Sequence, residues 1–163
     1  MPNTSSKFQP IPYAVSLAMT LAIGGVASLF TRPEIEGWYS RINKPSFTPP
    51  SWAFPIAWTI LYIMIATAAY LVWKKREPSI AYKNIRSIYF TQLFFNFIWS
   101  IVFFGMHQIL GGLVIIIVLW LLIIFNIFAF ARLSKPAAWL LVPYLLWVSF
   151  ATALNFSIYL LNN

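Results

Sequence analysis

Five apolar runs, at residues 11–30, 52–73, 82–104, 109–131 and 137–161, take up most of this 163-residue chain. A bilayer's hydrocarbon core is about 30 Å thick and needs about 20 residues of helix to cross it, so each run is expected to span it. Composition agrees: 61% of residues are hydrophobic, 19% are aromatic and only 9% are charged. Soluble domains carry about 25% charged residues, and a surface this poor in charge could not keep the chain dispersed in water. A cytosolic enzyme is therefore excluded. The expected fold is a single domain over residues 1–163, an all-α integral membrane protein built as a five-transmembrane-helix bundle.

The links between runs are short except for one long loop, residues 31–51, between helices 1 and 2, so neighbouring helices must run antiparallel. Alternation then collects Lys7, Lys74, Lys75, Arg76, Lys83, Arg86, Arg132 and Lys135 on one side, and only Arg32, Arg41 and Lys44 on the other. Eight against three places the N-terminus on the positive-inside face, the cytoplasmic side of a bacterial cell membrane, with the long loop and the C-terminus opposite. The net charge of +8 is accordingly read as loop charge facing anionic lipid, not as a nucleic-acid surface. The first run is too long for the apolar core of a signal peptide, about 7 to 15 residues. It also carries Ala14, Ala18 and Ala22 at four-residue spacing, then Gly25, a pattern that lets helices approach closely in lipid. That stripe is expected to pack within the monomer.

None of the five runs holds an ionisable side chain in its interior, which argues against a proton or ion antiporter. Cysteine is absent and His107 is the sole histidine, so neither a thiolate nor a multi-histidine metal site can form, and no resident cofactor is expected. The spans instead hold indoles, phenols and amides. Trp38, Trp52, Trp73 and Trp139 fit interfacial belts. On helix 2, Trp58 and Tyr62 are one turn apart. On helix 3, Gln92, Asn96 and Ser100 form a polar stripe with Phe103 just beyond, and on helix 5, Trp147, Ala151 and Asn155 share a face. Amides in lipid must face the bundle interior and find partners. A structural hydrogen-bonded network explains Gln92, Asn96 and Asn155 as well as a ligand does, but aromatic walls with a few polar anchors and the small Ala151 suit a flat, mostly apolar ligand.

Prolines mark the remaining features. Pro143 must release the carbonyl of Trp139 and kink helix 5, whereas Pro55 falls in the opening turn of helix 2. Arg32-Pro33, Lys44-Pro45 and Pro49-Pro50 stiffen the long loop, which is expected to fold as a lid over the bundle mouth.

The stretch WYSRINKPSFTPPSWAFPIAWTILY, residues 38–62, with LFFNFIWSIVFF at 93–104 and AAWLLVPYLLWVSFATALN at 137–155, resembles the translocator protein and tryptophan-rich sensory protein family, also called the peripheral benzodiazepine receptor family. The resemblance covers essentially the whole chain. It implies a five-helix bundle, usually homodimeric, whose cavity opens towards the first loop and binds porphyrins, benzodiazepine-type drugs and, in animals, cholesterol. Carried over by position, Tyr39 would come from the lid, Trp58 and Tyr62 from helix 2, Ser100 and Phe103 from helix 3, and Trp147 and Ala151 from helix 5; the spacing adds Asn96 and Asn155. The resemblance also implies, for bacterial members, light-dependent breakdown of protoporphyrin involving tryptophans that match Trp58 and Trp147. The animal cholesterol motif is incomplete here, because no Lys or Arg follows Tyr159. Gly111 stands where an animal ligand-contact tryptophan aligns.

The leading expectation is thus a membrane receptor or sensor for porphyrins, including protoporphyrin and haem-type tetrapyrroles, and similar flat apolar ligands, with Arg32, Arg41 or Lys44 available to ligand carboxylates. The alternatives are a translocator of tetrapyrroles or lipids, and a light-dependent porphyrin-degrading activity. Haem ligation is not expected from His107, which falls in a hairpin at the membrane surface.

Overall fold

The computed structural model describes residues 7–163, so the first six residues of the N-terminal arm lie outside the described residues. Among the described residues, seven α-helices and one π-helical turn make up five spans. The first span is α1, Pro10–Glu36, followed after Gly37 by the short α2, Trp38–Arg41. The second is α3, Ala53–Lys74. The third is α4, Ile80–Ser100, which runs directly into a π-helical turn, Ile101–Gly105. The fourth is α5, Ile109–Ala131, and the fifth comprises α6, Lys135–Leu140, and α7, Val142–Asn162. All five are long and apolar enough to cross a membrane.

The spans form a closed ring in which α1 packs on α3, α3 on α6 and α7, these on α5, α5 on α4, and α4 with its π turn back on α1. The alternation of direction brings the predicted basic ends together: Lys74 closes α3, Lys83 lies in the first turn of α4, and Lys135 opens α6. Ser79 and Ser134 cap α4 and α6 by accepting from the backbone N–H groups of Tyr82 and Ala137.

Three local features depart from the sequence expectation. The first helix does not stop at residue 30 but continues to Glu36, so Pro33 lies inside it and the long loop is partly helical. A proline removes only one intrahelical bond, that to the carbonyl of Leu29, and here it falls in the last turns, where few bonds remain to break. Gly37 then ends the helix, its N–H donating to Pro33 O at 3.1 Å. The extension carries Arg32, Glu34 and Glu36 on a spanning helix, and Arg86 stands six residues into α4, so the expectation that the spans hold no ionisable side chain is met only between these positions. Second, Ala14, Ala18, Ala22 and Gly25 are all exposed, which overturns the expectation that this stripe packs within the monomer. α1 instead meets α3 through polar contacts on another face: Ser16 Oγ donates to Ala66 O at 2.8 Å and Thr20 Oγ1 to Tyr62 O at 3.1 Å. Third, the fifth span is broken outright rather than kinked. α6 ends at Leu140, Leu141 stands between the two helices, and Pro143 sits in the first turn of α7, where its missing N–H costs nothing.

Candidate functional site

The stripes predicted on the second and third spans meet at the bundle axis, where Tyr144 of the fifth span, outside the stripe predicted there, joins them. Tyr62 Oη donates to Asn96 Oδ1 at 2.6 Å, Asn96 Nδ2 donates to Tyr144 Oη at 3.0 Å, and Tyr144 Oη donates to Gln92 Oε1 at 2.9 Å. All four side chains are buried. Asn155 works the other side of the bundle, accepting from Trp99 Nε1 at 3.3 Å and donating to Ile109 O at 3.0 Å. Interhelical hydrogen bonds in membranes average about 0.6 kcal/mol each, so these networks fix side-chain orientation more than they supply stability.

That orientation builds a wall of rings. Trp58 stacks on Tyr62 with centroids 5.7 Å apart, lies 6.2 Å from Trp99, and meets Trp147 edge-on at 6.5 Å. Trp99 stacks on Phe103 at 5.7 Å. The wider π turn lets the consecutive Phe103 and Phe104 both face inward, 4.9 Å apart and edge to face.

In front of this wall a cavity of about 760 Å³ opens between α1, α3 and α4, within the 300–1,000 Å³ range of ligand sites. Trp58, Tyr62, Trp99, Ser100 and Phe104 form its inner face, and Gly24, Ala27, Ser28 and Thr31 of α1 the outer. Trp52, Arg32 and Glu36 also border it, at the end where the 42–52 segment enters α3. Gly24 is what admits the tyrosine: a Cβ there would stand 2.6 Å from Tyr62 Cδ2, far inside contact distance.

Of the nine residues picked from the sequence, Trp58, Tyr62 and Ser100 border the cavity directly. The other six stand behind it. Asn96 and Asn155 hold Tyr62 and Trp99, Phe103 backs Trp99, Trp147 backs Trp58, and Ala151 is buried in the same interior. Tyr39 is 5% exposed and packs on Phe54, Phe103 and Phe104, with its hydroxyl unpartnered among the described residues. Apart from Arg32, the contribution of α1 was missed, because a run apolar on every side shows no inward face; Gly24 beside Gly25 was the signal available. Neither Trp99, which borders the cavity, nor Asn126, buried on α5 with no partner for its amide among the described residues, was singled out.

The three loop cations have different fates. Lys44 Nζ donates to the carbonyls of Tyr39, Ser40 and Ile42 at 2.7, 3.2 and 3.0 Å, which commits it to closing α2. Arg41 Nε donates to Gly37 O at 3.1 Å. Only Arg32 borders the cavity, and it makes no hydrogen bond or ion pair with the described residues. The loop is anchored at Asn43, whose N–H donates to Asn162 Oδ1 at 3.0 Å while Asn162 Nδ2 donates to Asn43 O at 2.9 Å. His107 lies outside the cavity, with Nε2 2.8 Å from Glu34 Oε2 and its ring stacked 4.7 Å from Trp38.

Comparison with known proteins places this geometry. The model of the TspO/MBR family matches residues 14–161. A tryptophan-rich protein TspO of Chlorobaculum tepidum is 46% identical over 159 residues, covering 94% of this chain and 98% of that one. Another of the same name from Archaeoglobus fulgidus is 46% identical over 147 residues, covering 90% and 94%. The human translocator protein is 33% identical over 155 residues, covering 91% and 90%.

Proposed function

The chain belongs to the TspO/MBR family, and on that footing we propose that it is a membrane receptor for porphyrins and other flat, mostly apolar molecules, bound in the cavity between α1, α3 and α4. The observation that carries this reading is the aromatic inner face of that cavity, Trp58, Tyr62, Trp99 and Phe104, opposed across an open gap by the small residues of α1. A planar macrocycle fits between the ring wall and the middle of α1, where Gly24, Gly25, Ala27 and Ser28 are flanked by the larger Leu21 and Ile35, and each ring it stacks on adds about 0.5 to 1.5 kcal/mol beyond area burial. Arg32 supplies a cation for a ligand carboxylate. Glu36, one turn on, also borders the cavity. Tyr39, Asn96, Phe103, Trp147, Ala151 and Asn155 act in this reading as supports that hold the wall. We place the protein in a bacterial cell membrane as a homodimer, with the exposed Ala14, Ala18, Ala22 and Gly25 face of α1 available to a second copy.

Light-dependent breakdown of the bound porphyrin is a second reading, favoured by one observation: Trp58 lies within 6.5 Å of both Trp99 and Trp147, so an easily oxidised ring against the ligand has two others beside it. Trp58→Phe, Trp147→Phe and Trp139→Phe separate the two. Trp58→Phe should weaken protoporphyrin binding by up to about tenfold, Trp147→Phe by less, and the exposed Trp139 not at all. Light-driven loss of protoporphyrin falling much further than binding in the first two variants supports breakdown; equal small losses leave a receptor; unchanged binding in Trp58→Phe overturns the site.

A further inference from the structure

A second opening of about 450 Å³ lies on the same seam of α1, α3 and α4 but at the opposite, basic end. Ser16 and Thr20 of α1, bonded to Ala66 O and Tyr62 O of α3, pinch the seam shut between the two. We propose that this groove seats one acyl chain of an anionic phospholipid, with the phosphate held by Arg86.

The groove's walls are apolar along its length, from Ile11, Val15 and Met19 of α1 to Phe90 of α4 and Phe130 of α5. Its polar features are Tyr70, Trp73, Tyr82, Tyr89 and Arg86, with Ser16 at the pinch, where its hydroxyl is bonded to Ala66 O. Such an arrangement fits a long apolar tail with a polar head. Arg86 decides the sign of the head. It lies six residues into α4, about 9 Å along the helix, and makes no hydrogen bond or ion pair with the described residues. An unpaired cation that far from a helix end in lipid calls for an anion or must snorkel to one. The same end of the bundle carries Lys74, Lys75, Lys83, Arg132 and Lys135, so the surrounding field also selects an anionic lipid.

The test is native mass spectrometry of the full chain in neutral detergent, titrated with phosphatidylglycerol and with phosphatidylcholine of identical acyl chains. We expect phosphatidylglycerol to be retained at least about tenfold more tightly. Arg86→Gln should remove most of that preference, and Ala69→Phe, which fills the groove, should lower retention of both lipids. Lys83→Gln is the control, since this neighbouring surface cation does not border the groove, and the preference should persist in it. Equal retention of the two lipids by the unaltered chain would overturn the proposal. So would an undiminished preference in Arg86→Gln, or an equal loss in Lys83→Gln, which would mean diffuse surface charge. Oleate displacing phosphatidylglycerol at equal concentration would assign the groove to a free fatty acid and overturn the phospholipid.

Discussion

Gly24 and Gly25 stand side by side on α1 with opposite surroundings, and the difference sets how the cavity can be altered. A Cβ at Gly24 would collide with Tyr62, whereas one at Gly25 meets nothing within 4 Å. Tyr62 is held from behind by Asn96, so it cannot retreat without breaking the 2.6 Å bond at the bundle axis. Gly24→Ala should therefore lower protoporphyrin affinity by about tenfold or more, since a lost bond to a buried amide and a displaced ring each cost about 1 kcal/mol. Gly25→Ala should leave affinity within about twofold. Fluorescence titration of the two variants measures both outcomes, and equal affinities would contradict the role of Gly24. At this scale the sequence was most informative about polarity. Gln92, Asn96 and Asn155 had to face inward because lipid offers an amide no partner, and all three are buried with hydrogen bonds between spans. Size carried less information. Nothing in the local sequence distinguishes Trp99, which borders the cavity, from Trp120, whose indole donates to Ser149 Oγ at 2.7 Å between α5 and α7.

The helices themselves were legible from apolar run length, and four of the five spans begin and end within a few residues of their runs. The first was not, because a proline beside charged residues looks like a helix end, and only the absence of later bonds to break lets Pro33 be absorbed. The π turn at Ile101–Gly105 was also invisible, since no residue type demands it; it is fixed by the Met106 N–H reaching back to Ile101 O at 2.8 Å. The loop between α2 and α3 is short enough to be governed by two devices. Lys44 caps α2, and the Asn43–Asn162 clasp ties the segment to the end of α7. Asn162→Ala removes both bonds of the clasp that use its side chain. Backbone amides of residues 42–52 should then exchange with deuterium about tenfold faster, while those of α3 and α7 keep their protection. Unchanged exchange over 42–52 would mean that the prolines alone hold the loop.

As a whole the molecule is a ring of five spans with one end of mixed charge, one basic end, and a seam along α1 that opens towards each. Because the chain has no cysteine, single cysteines report topology directly. Cysteines placed at Glu77, in the α3–α4 link, and at Asn163 should be labelled from opposite sides of sealed membranes, with Glu77 on the cytoplasmic side; labelling of both from one side would contradict five spans. What joins the scales is the claim that ligand enters between α1 and the aromatic wall. Ser28→Trp tests it most directly, because Ser28 lies on the α1 side of the cavity and a tryptophan there fills the gap without touching the networks at the axis. Titrated with protoporphyrin in detergent, this variant should keep its helical content and lose at least about tenfold in affinity, whereas protoporphyrin binding it as tightly as the unaltered chain would contradict the account.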